Sequence, residues 1–210
     1  MSDKSYLSVY AKSFSWAGFF LPGKTLKKCS VLYDFCRVAD NIADDKDEIE
    51  VKKKKFAKFE NDFNQKKFDN LIIKNMWDIM EEFNISIRIV QDLLAGIKSD
   101  IKERVELNSK KDLLIYSYRV AGTVGLMMAK ILNVTKKNSL KSAIDLGIAM
   151  QLTNISRDVL EDSKNNRFYI EENFEKISST INLANRYYQD SFYAIKSIPI
   201  SFRFSILVAR

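Results

Sequence analysis

Histidine is absent from all 210 residues. Its absence removes Ser-His-Asp and Cys-His triads and every zinc site with a histidine ligand. Glycine and proline are scarce, at six and two, so the chain favours long, rarely punctuated helices over many short strands. Cysteine is limited to Cys29 and Cys36. Seven residues apart on one helix, they are separated by ~10 Å of helical rise, too far for a disulfide, and they read as small buried residues in a reducing compartment. No secretory signal opens the chain, since MSDKSYLSVYAKSF has charge, hydroxyls and aromatics in place of a continuous apolar core. The expected location is therefore the cytoplasm. The most membrane-like run, 113–134, is interrupted by Arg119 and Lys130 and diluted by Tyr116, Ser117, Tyr118 and Thr123, so it reads as a buried core helix.

A hydrophobic content of 46% over this length supports one substantial core, and 1–210 reads as a single all-α domain with no linker inside it. Helical periodicity predicts elements at about 3–16, from Lys24 through the first aspartate pair, at 46–63, 68–83, 86–104, 110–132 and through 143–169. Lys52 to Lys55 form a cationic crown on the second long helix, read as a solvated face, with attraction to anionic lipid as the alternative. Gly122 and Gly125 in the 110–132 helix cost about 1 kcal/mol each relative to alanine. Either a neighbouring helix packs close there or the helix opens locally to admit a ligand. The net charge of +7 points to an anionic partner without choosing its class.

Two acidic helices carry the chemistry. In AIDLGIAMQLTNISRDVLEDSKNNRFY, residues 143–169, Gln151, Asn154, Asp158 and Asp162 recur at helical spacing and stack along one stripe. Aspartates one turn apart repel by roughly 0.2–0.5 kcal/mol, a cost whose sign a bound cation reverses. CSVLYDFCRVADNIADD repeats the pattern with Arg37, Asp40 and Asp44, and Tyr33 lies one turn before the arginine. Two such helices facing across a bundle form a polar site in apolar walls. Magnesium takes a few carboxylate oxygens together with waters and phosphate oxygens, and the four aspartates with Asn154 and Gln151 suit it. Lys12, Arg37, Arg157, Lys164 and Arg167 lie in or near the same segments and suit diphosphate oxygens. An anionic diphosphate on an apolar tail follows as substrate, with metal-assisted loss of diphosphate and an allylic cation as the chemistry.

SFSWAGFFLP, LYDFCRVADNIAD, YRVAGTVGLMMA and DLGIAMQLTNISRDVLEDSKNNRFYI resemble, in order, the blocks of the squalene/phytoene synthase family of head-to-head prenyl transferases, with wording nearest the bacterial phytoene synthases. The resemblance implies an isoprenoid-synthase helical bundle around a central cavity. It implies Mg²⁺, or Mn²⁺ in its place, held by Asp40, Asp44, Asp158 and Asp162 with Asn154 assisting. It implies that Tyr10, Lys12, Ser13, Tyr33, Arg37, Gln151 and Arg157 touch substrate diphosphate and that Tyr118 sits near the reacting carbons. Two geranylgeranyl diphosphates would join through a cyclopropylcarbinyl diphosphate to give phytoene. Squalene or dehydrosqualene from farnesyl diphosphate, with NADPH only for squalene, is the alternative, as is a non-catalytic assembly or lipid-binding relative. The implied partner is an isoprenoid diphosphate and not nucleic acid, with peripheral contact at the inner face of a membrane. Three departures stand out: Asn41 replaces a frequent aspartate, Ile170 runs into Glu171 without the usual proline, and the chain stops at SFRFSILVAR where the family adds C-terminal helices that close the cavity.

Overall fold

The structure is a computed structural model and describes residues 22–195. The helix expected at 3–16 lies outside them. Helix α1 (Gly23–Asp44) begins directly after Pro22, whose carbonyl accepts from Leu26 N–H at 2.9 Å, so the turn expected at Pro22-Gly23 launches the helix. It buries one stripe of Cys29, Leu32, Phe35, Ala39 and Ala43 and turns Tyr33, Arg37 and Asp40 to another face. Helices α2 (Ile49–Asn64), α3 (Leu71–Glu82) and α4 (Ile87–Lys98) pack around it. The Asn70 side chain caps α3 by accepting from Ile72 and Ile73 N–H, and Ser86 caps α4. Asn84 adopts a left-handed φ of 50° just past α3, a conformation asparagine tolerates, and so stops that helix.

Phe35, Phe59, Phe63 and Trp77 form a tilted-to-stacked aromatic column inside the first core, and Met127 is fully buried there as well. These residues are packing, as the sequence suggested. The lysine crown is largely tied down locally, with Lys53 on Glu50, Lys55 on Asp45 and Asp47, and Lys52 Nζ donating to the Ala43 carbonyl at 3.2 Å. Among the described residues, no helix is long and apolar enough to cross a membrane. Both cysteines are free, as their spacing required.

The predicted 110–132 helix is three pieces: α5 (Lys110–Ser117), a wide π turn (Tyr118–Gly122) and α6 (Thr123–Ile131). The close-packing reading of the glycine pair holds, and the helix also widens just before it. The helix opens at Tyr118–Gly122, and Gly125 lies against the Ala143 carbonyl while Gly147 lies against the Ala121 carbonyl, so two backbones meet with no room for a Cβ. The 143–169 segment also departs from a continuous helix. Helix α7 (Lys137–Arg157) ends at Asp158, α8 (Val159–Lys164) follows, and a left-handed Asn166 leads into a two-residue strand. That strand, β2 (Arg167–Phe168), falls where the sequence predicted helix and pairs in parallel with β1 (Val105–Glu106), which lies between two predicted helices. Helix α9 (Phe174–Ile195) lies along α7 and completes a second core of Leu113, Tyr116, Ile148, Leu152, Ile155, Tyr169 and Ala184.

Gly147→Ala should destabilise the fold by roughly 1–3 kcal/mol, because the added methyl meets backbone that cannot rotate away. Gly23→Ala, with open space at its Cβ, should be neutral or stabilise by up to about 1 kcal/mol. Thermal unfolding of the two variants beside the parent checks both, at roughly 2–4 °C per kcal/mol.

Candidate active site

Two chambers lie between the cores. The first, about 260 Å³, is lined by Tyr33, Cys36, Arg37 and Asp40 of α1, Leu93 and Ile97 of α4, Asp100, Tyr116, Val120 and Gln151. The second, about 530 Å³, is strongly polar: Asp44, Asp158, Glu161 and Asp162 face Lys46, Lys52, Lys102 and Arg167. Asp100 lines both. The two acidic helices therefore look onto one space, with Asp44 arriving from α1 and Asp158 and Asp162 from the α7–α8 junction.

The break at Asp158 shapes that junction. Asp158 N–H still donates to the Asn154 carbonyl at 2.9 Å, and Asp162 N–H donates to the Asp158 carbonyl at 2.8 Å. The stripe expected from Gln151 to Asp162 is thus bent, not straight. Gln151 falls in the first chamber and Asp158 and Asp162 in the second. Asn154 is exposed and lines neither chamber, and neither do Arg157 and Tyr118. Tyr118 opens the π turn and donates to Asp92 at 3.4 Å. Tyr10, Lys12 and Ser13 lie outside the described residues.

Arginines hold three of the four aspartates. Arg37 donates to Asp40 at 2.7 Å, Arg157 grips Asp158 through two bonds of 2.7 and 2.6 Å, and Arg167 of β2 bonds Asp44 across 123 positions of sequence. The fork of Arg157 holds the Asp158 carboxyl below the usual carboxylate range. Asp40 and Asp162 go the other way. Burial raises each first; Asp44 then adds to Asp40, while Asp158, Glu161 and Asp44 add to Asp162, against the lowering pull of nearby arginines. Carboxylates on opposite walls feel one another's charge, and a cation between them relieves it.

The donors are hard oxygens in a chamber with room for water and phosphate, which is the chemistry magnesium selects. With the aspartates turned to their arginines, no three acidic or thiol groups among the described residues converge on one ion position. Asp44, Asp158 and Asp162 are the residues that would hold an ion there. Cys36, in the first chamber, stays a protonated thiol, its pKa pushed up to about 12 by burial and by Asp40.

Sequence reasoning missed Asp100. Tyr116 donates to its Oδ2 at 2.7 Å and Tyr169 to its Oδ1 at 3.1 Å, with the two phenol oxygens 3.0 Å apart and the rings stacked at 4.8 Å. Burial lifts the Asp100 carboxyl to about 6, against the lowering effect of the two phenols and Arg167. Arg167 itself is raised: burial works against its charge, but its bond to Asp44 and the charges of Asp44 and Asp100 outweigh that.

Facing aspartate motifs with arginine partners, set in a largely helical frame, open onto a polar chamber beside a compact, partly apolar one. The chain belongs to the squalene/phytoene synthase family, whose model matches residues 7–176. It is 32% identical to the 15-cis-phytoene synthase of Enterobacter agglomerans over 175 residues, covering 78% of this chain and 59% of that one. Against the phytoene synthase of Rhodobacter capsulatus the identity is 33% over 165 residues, covering 75% and 48%. The chain thus spans about half to three-fifths of the length of these relatives. Among solved structures, a dehydrosqualene synthase in complex with ligand superposes with a TM-score of 0.79 at 25% identity, covering 98% of this chain and 81% of that one. A squalene synthase from Alicyclobacillus acidocaldarius shares the fold, with a TM-score of 0.77 at 14% identity, covering 97% and 85%.

The raised carboxyl gives a signed prediction. Between about pH 4 and 6 native Asp100 keeps a proton that the unfolded chain, with an aspartate near 3.9, has lost. Its stabilisation is complete below that window and disappears as pH rises through it. The stability of Asp100→Asn relative to the parent should therefore rise by roughly 2–3 kcal/mol from pH 4 to pH 7. Urea unfolding of both proteins at each pH measures it, and a constant difference would mean that Asp100 titrates like a surface carboxylate.

Proposed function

We propose that this chain carries the catalytic core of a head-to-head prenyl transferase that joins two isoprenoid diphosphates, with geranylgeranyl diphosphate as substrate and phytoene as product. The observation that carries the reading is the shared chamber of Asp44, Asp158 and Asp162 with Arg167, opening beside a second chamber with partly apolar walls. Phytoene synthases similar in sequence to this chain support the substrate choice.

In this reading Arg37, Arg167 and Lys52 turn from carboxylates and a helix end to diphosphate oxygens, for which guanidinium and ammonium donors are suited. Magnesium, held by Asp44, Asp158 and Asp162, would supply the positive charge that lets diphosphate depart. Gln151 and Tyr33 orient the head at the chamber border, while Leu93, Ile97 and Val120 receive the first part of the tail and exclude water. The first allylic cation is captured by the double bond of the second molecule, and the cation so produced closes to a cyclopropane as it loses a proton. The cyclopropylcarbinyl diphosphate so formed ionises in turn, rearranges and loses a proton.

A second reading rests on the dehydrosqualene synthase likeness: farnesyl diphosphate as substrate and a shorter hydrocarbon as product. Incubating the protein with Mg²⁺ and either diphosphate, with and without NADPH, separates the two. The expected result is diphosphate release and a forty-carbon hydrocarbon from geranylgeranyl diphosphate without NADPH. A folded protein that forms no hydrocarbon from any combination overturns the proposal. Asp158→Asn should keep the helical circular-dichroism signal and lose more than about a hundredfold in diphosphate release, several kcal/mol of transition-state stabilisation.

A further inference from the structure

A third cavity, of about 280 Å³, shares no lining residue with either chamber. It lies where four segments come together: the chain leaving β1, the start of α5, the chain leaving β2 and the first turns of α9. Its apolar floor is made by Leu107, Leu113, Ile170, Leu183 and Tyr169, all buried or half-buried. These residues are held from outside the cavity. Tyr169 is fixed by its bond to Asp100 and by stacking on Tyr116, and Leu113 belongs to the second core. Ser109 caps α5 by accepting from Asp112 N–H, and Asn173 caps α9 by accepting from Lys176 N–H. The space is therefore preformed. Water on such a floor finds few partners, and an apolar body that displaces it is favoured.

The charged lining is exposed. Lys110 of α5 forms no ion pair among the described residues, and Lys176 of α9 meets Glu171 at 3.5 Å, longer than a good charge-assisted hydrogen bond. Glu171 has a second partner: Asn173 Nδ2 donates to it at 2.9 Å, so it can release Lys176 and stay bonded. Two ammonium groups against one carboxylate leave the rim positive. Glu171 also follows Ile170 where the sequence lacks the usual proline, so the carboxylate that meets Lys176 is a feature of this chain.

We propose that this cavity binds a small anionic amphiphile, its short hydrocarbon body on the apolar floor and its phosphate or carboxylate head on Lys110 and Lys176. Glu171 holds the place of the head and gives up Lys176 when the head arrives. The site is separate from the diphosphate chamber and does not depend on the function proposed above. Its volume sets the size of the body: slightly below the roughly 300–1,000 Å³ of small-molecule sites, it admits a short chain and excludes a long polyprenyl tail. Charge sets the head. A cation would meet two ammonium groups, and a neutral head would serve Lys176 less well than Glu171 already does.

Isothermal titration calorimetry with geranyl diphosphate and with decanoate, each with a chelator present, tests the site. The chelator withholds the metal through which the aspartate chamber would take a diphosphate. The two probes separate the sources of the head: a phosphate site prefers geranyl diphosphate, a carboxylate site decanoate, and either preference supports the proposal. With Lys110→Ala and Lys176→Ala combined, the affinity of the preferred probe should fall about tenfold or more. Glu171→Gln, which removes the competing charge and keeps the shape, should bind about threefold more tightly. All three positions are exposed, so the helical signal and Tm should match the parent's. No heat from either probe overturns the inference. So does a lysine variant that binds as the parent does, or a Glu171→Gln variant that binds no more tightly.

Discussion

Repulsion among aspartates gathered from two helices is the constraint that organises this protein. Burial, and after it the charge of neighbouring carboxylates including Asp44 on α1, raises the pKa of both Asp40, one turn before Asp44, and Asp162 on α8, and a cluster of that sign is tolerated only with counter-charge at hand. The chain supplies it from three places. Arg37 comes from the same helix as Asp40, Arg157 is the immediate neighbour of Asp158, and Arg167 reaches Asp44 from a strand far along the sequence. The last pair ties the two acidic walls together. Its geometry depends on β2, which β1 holds in place through two backbone bonds, from Val105 N–H to Asn166 and from Leu107 N–H to Phe168.

Close backbone approach sets the distance between the walls. Gly125 and Gly147 let the α6 and π-turn segment lie directly on α7, which brings Val120 and Gln151 to the same chamber. The π turn shifts the register between α5 and α6, so that Tyr116 faces Asp100 while Met127 remains in the first core. An uninterrupted helix would carry one of these side chains away from its partner. The glycines' intrinsic cost of about 1 kcal/mol each is thus offset by contacts that a side chain would block.

Much of the site was legible because it is local. Arg37, Asp40 and Asp44 lie on one helix, and their spacing of three and four sets them along one side of it before any tertiary contact forms, although Asp40 lines the first chamber and Asp44 the second. Asp158 and Asp162 were read from the same periodicity, and the bend at Asp158 moved them without separating them from Asp44. The two-stranded ladder was not legible: Val105 and Arg167 pair across 62 positions, and two-residue strands leave no alternation to read. Asp100 was hidden for the same reason. Its partners are 16 and 69 residues away, and in sequence it follows Lys98-Ser99 as one more charged residue at a helix end. Asn154 shows the converse, a residue in step with the motif whose side chain faces solvent because the helix rotates it past the chamber.

The arrangement of ion pairs bears on the order in which ligands enter. The bonds from Arg157 and Arg167 occupy carboxylate oxygens that an ion would need, so an ion arriving alone must displace an exposed guanidinium from Asp158 and a partly buried one from Asp44. A diphosphate arriving alone meets the reverse cost, because it faces Asp158, Glu161 and Asp162 across the chamber. Together they exchange partners: carboxylates turn to the ion, guanidinium groups to the phosphate oxygens, and no charge is left without an opposite. In the proposed function, head group and ion are therefore bound as one unit.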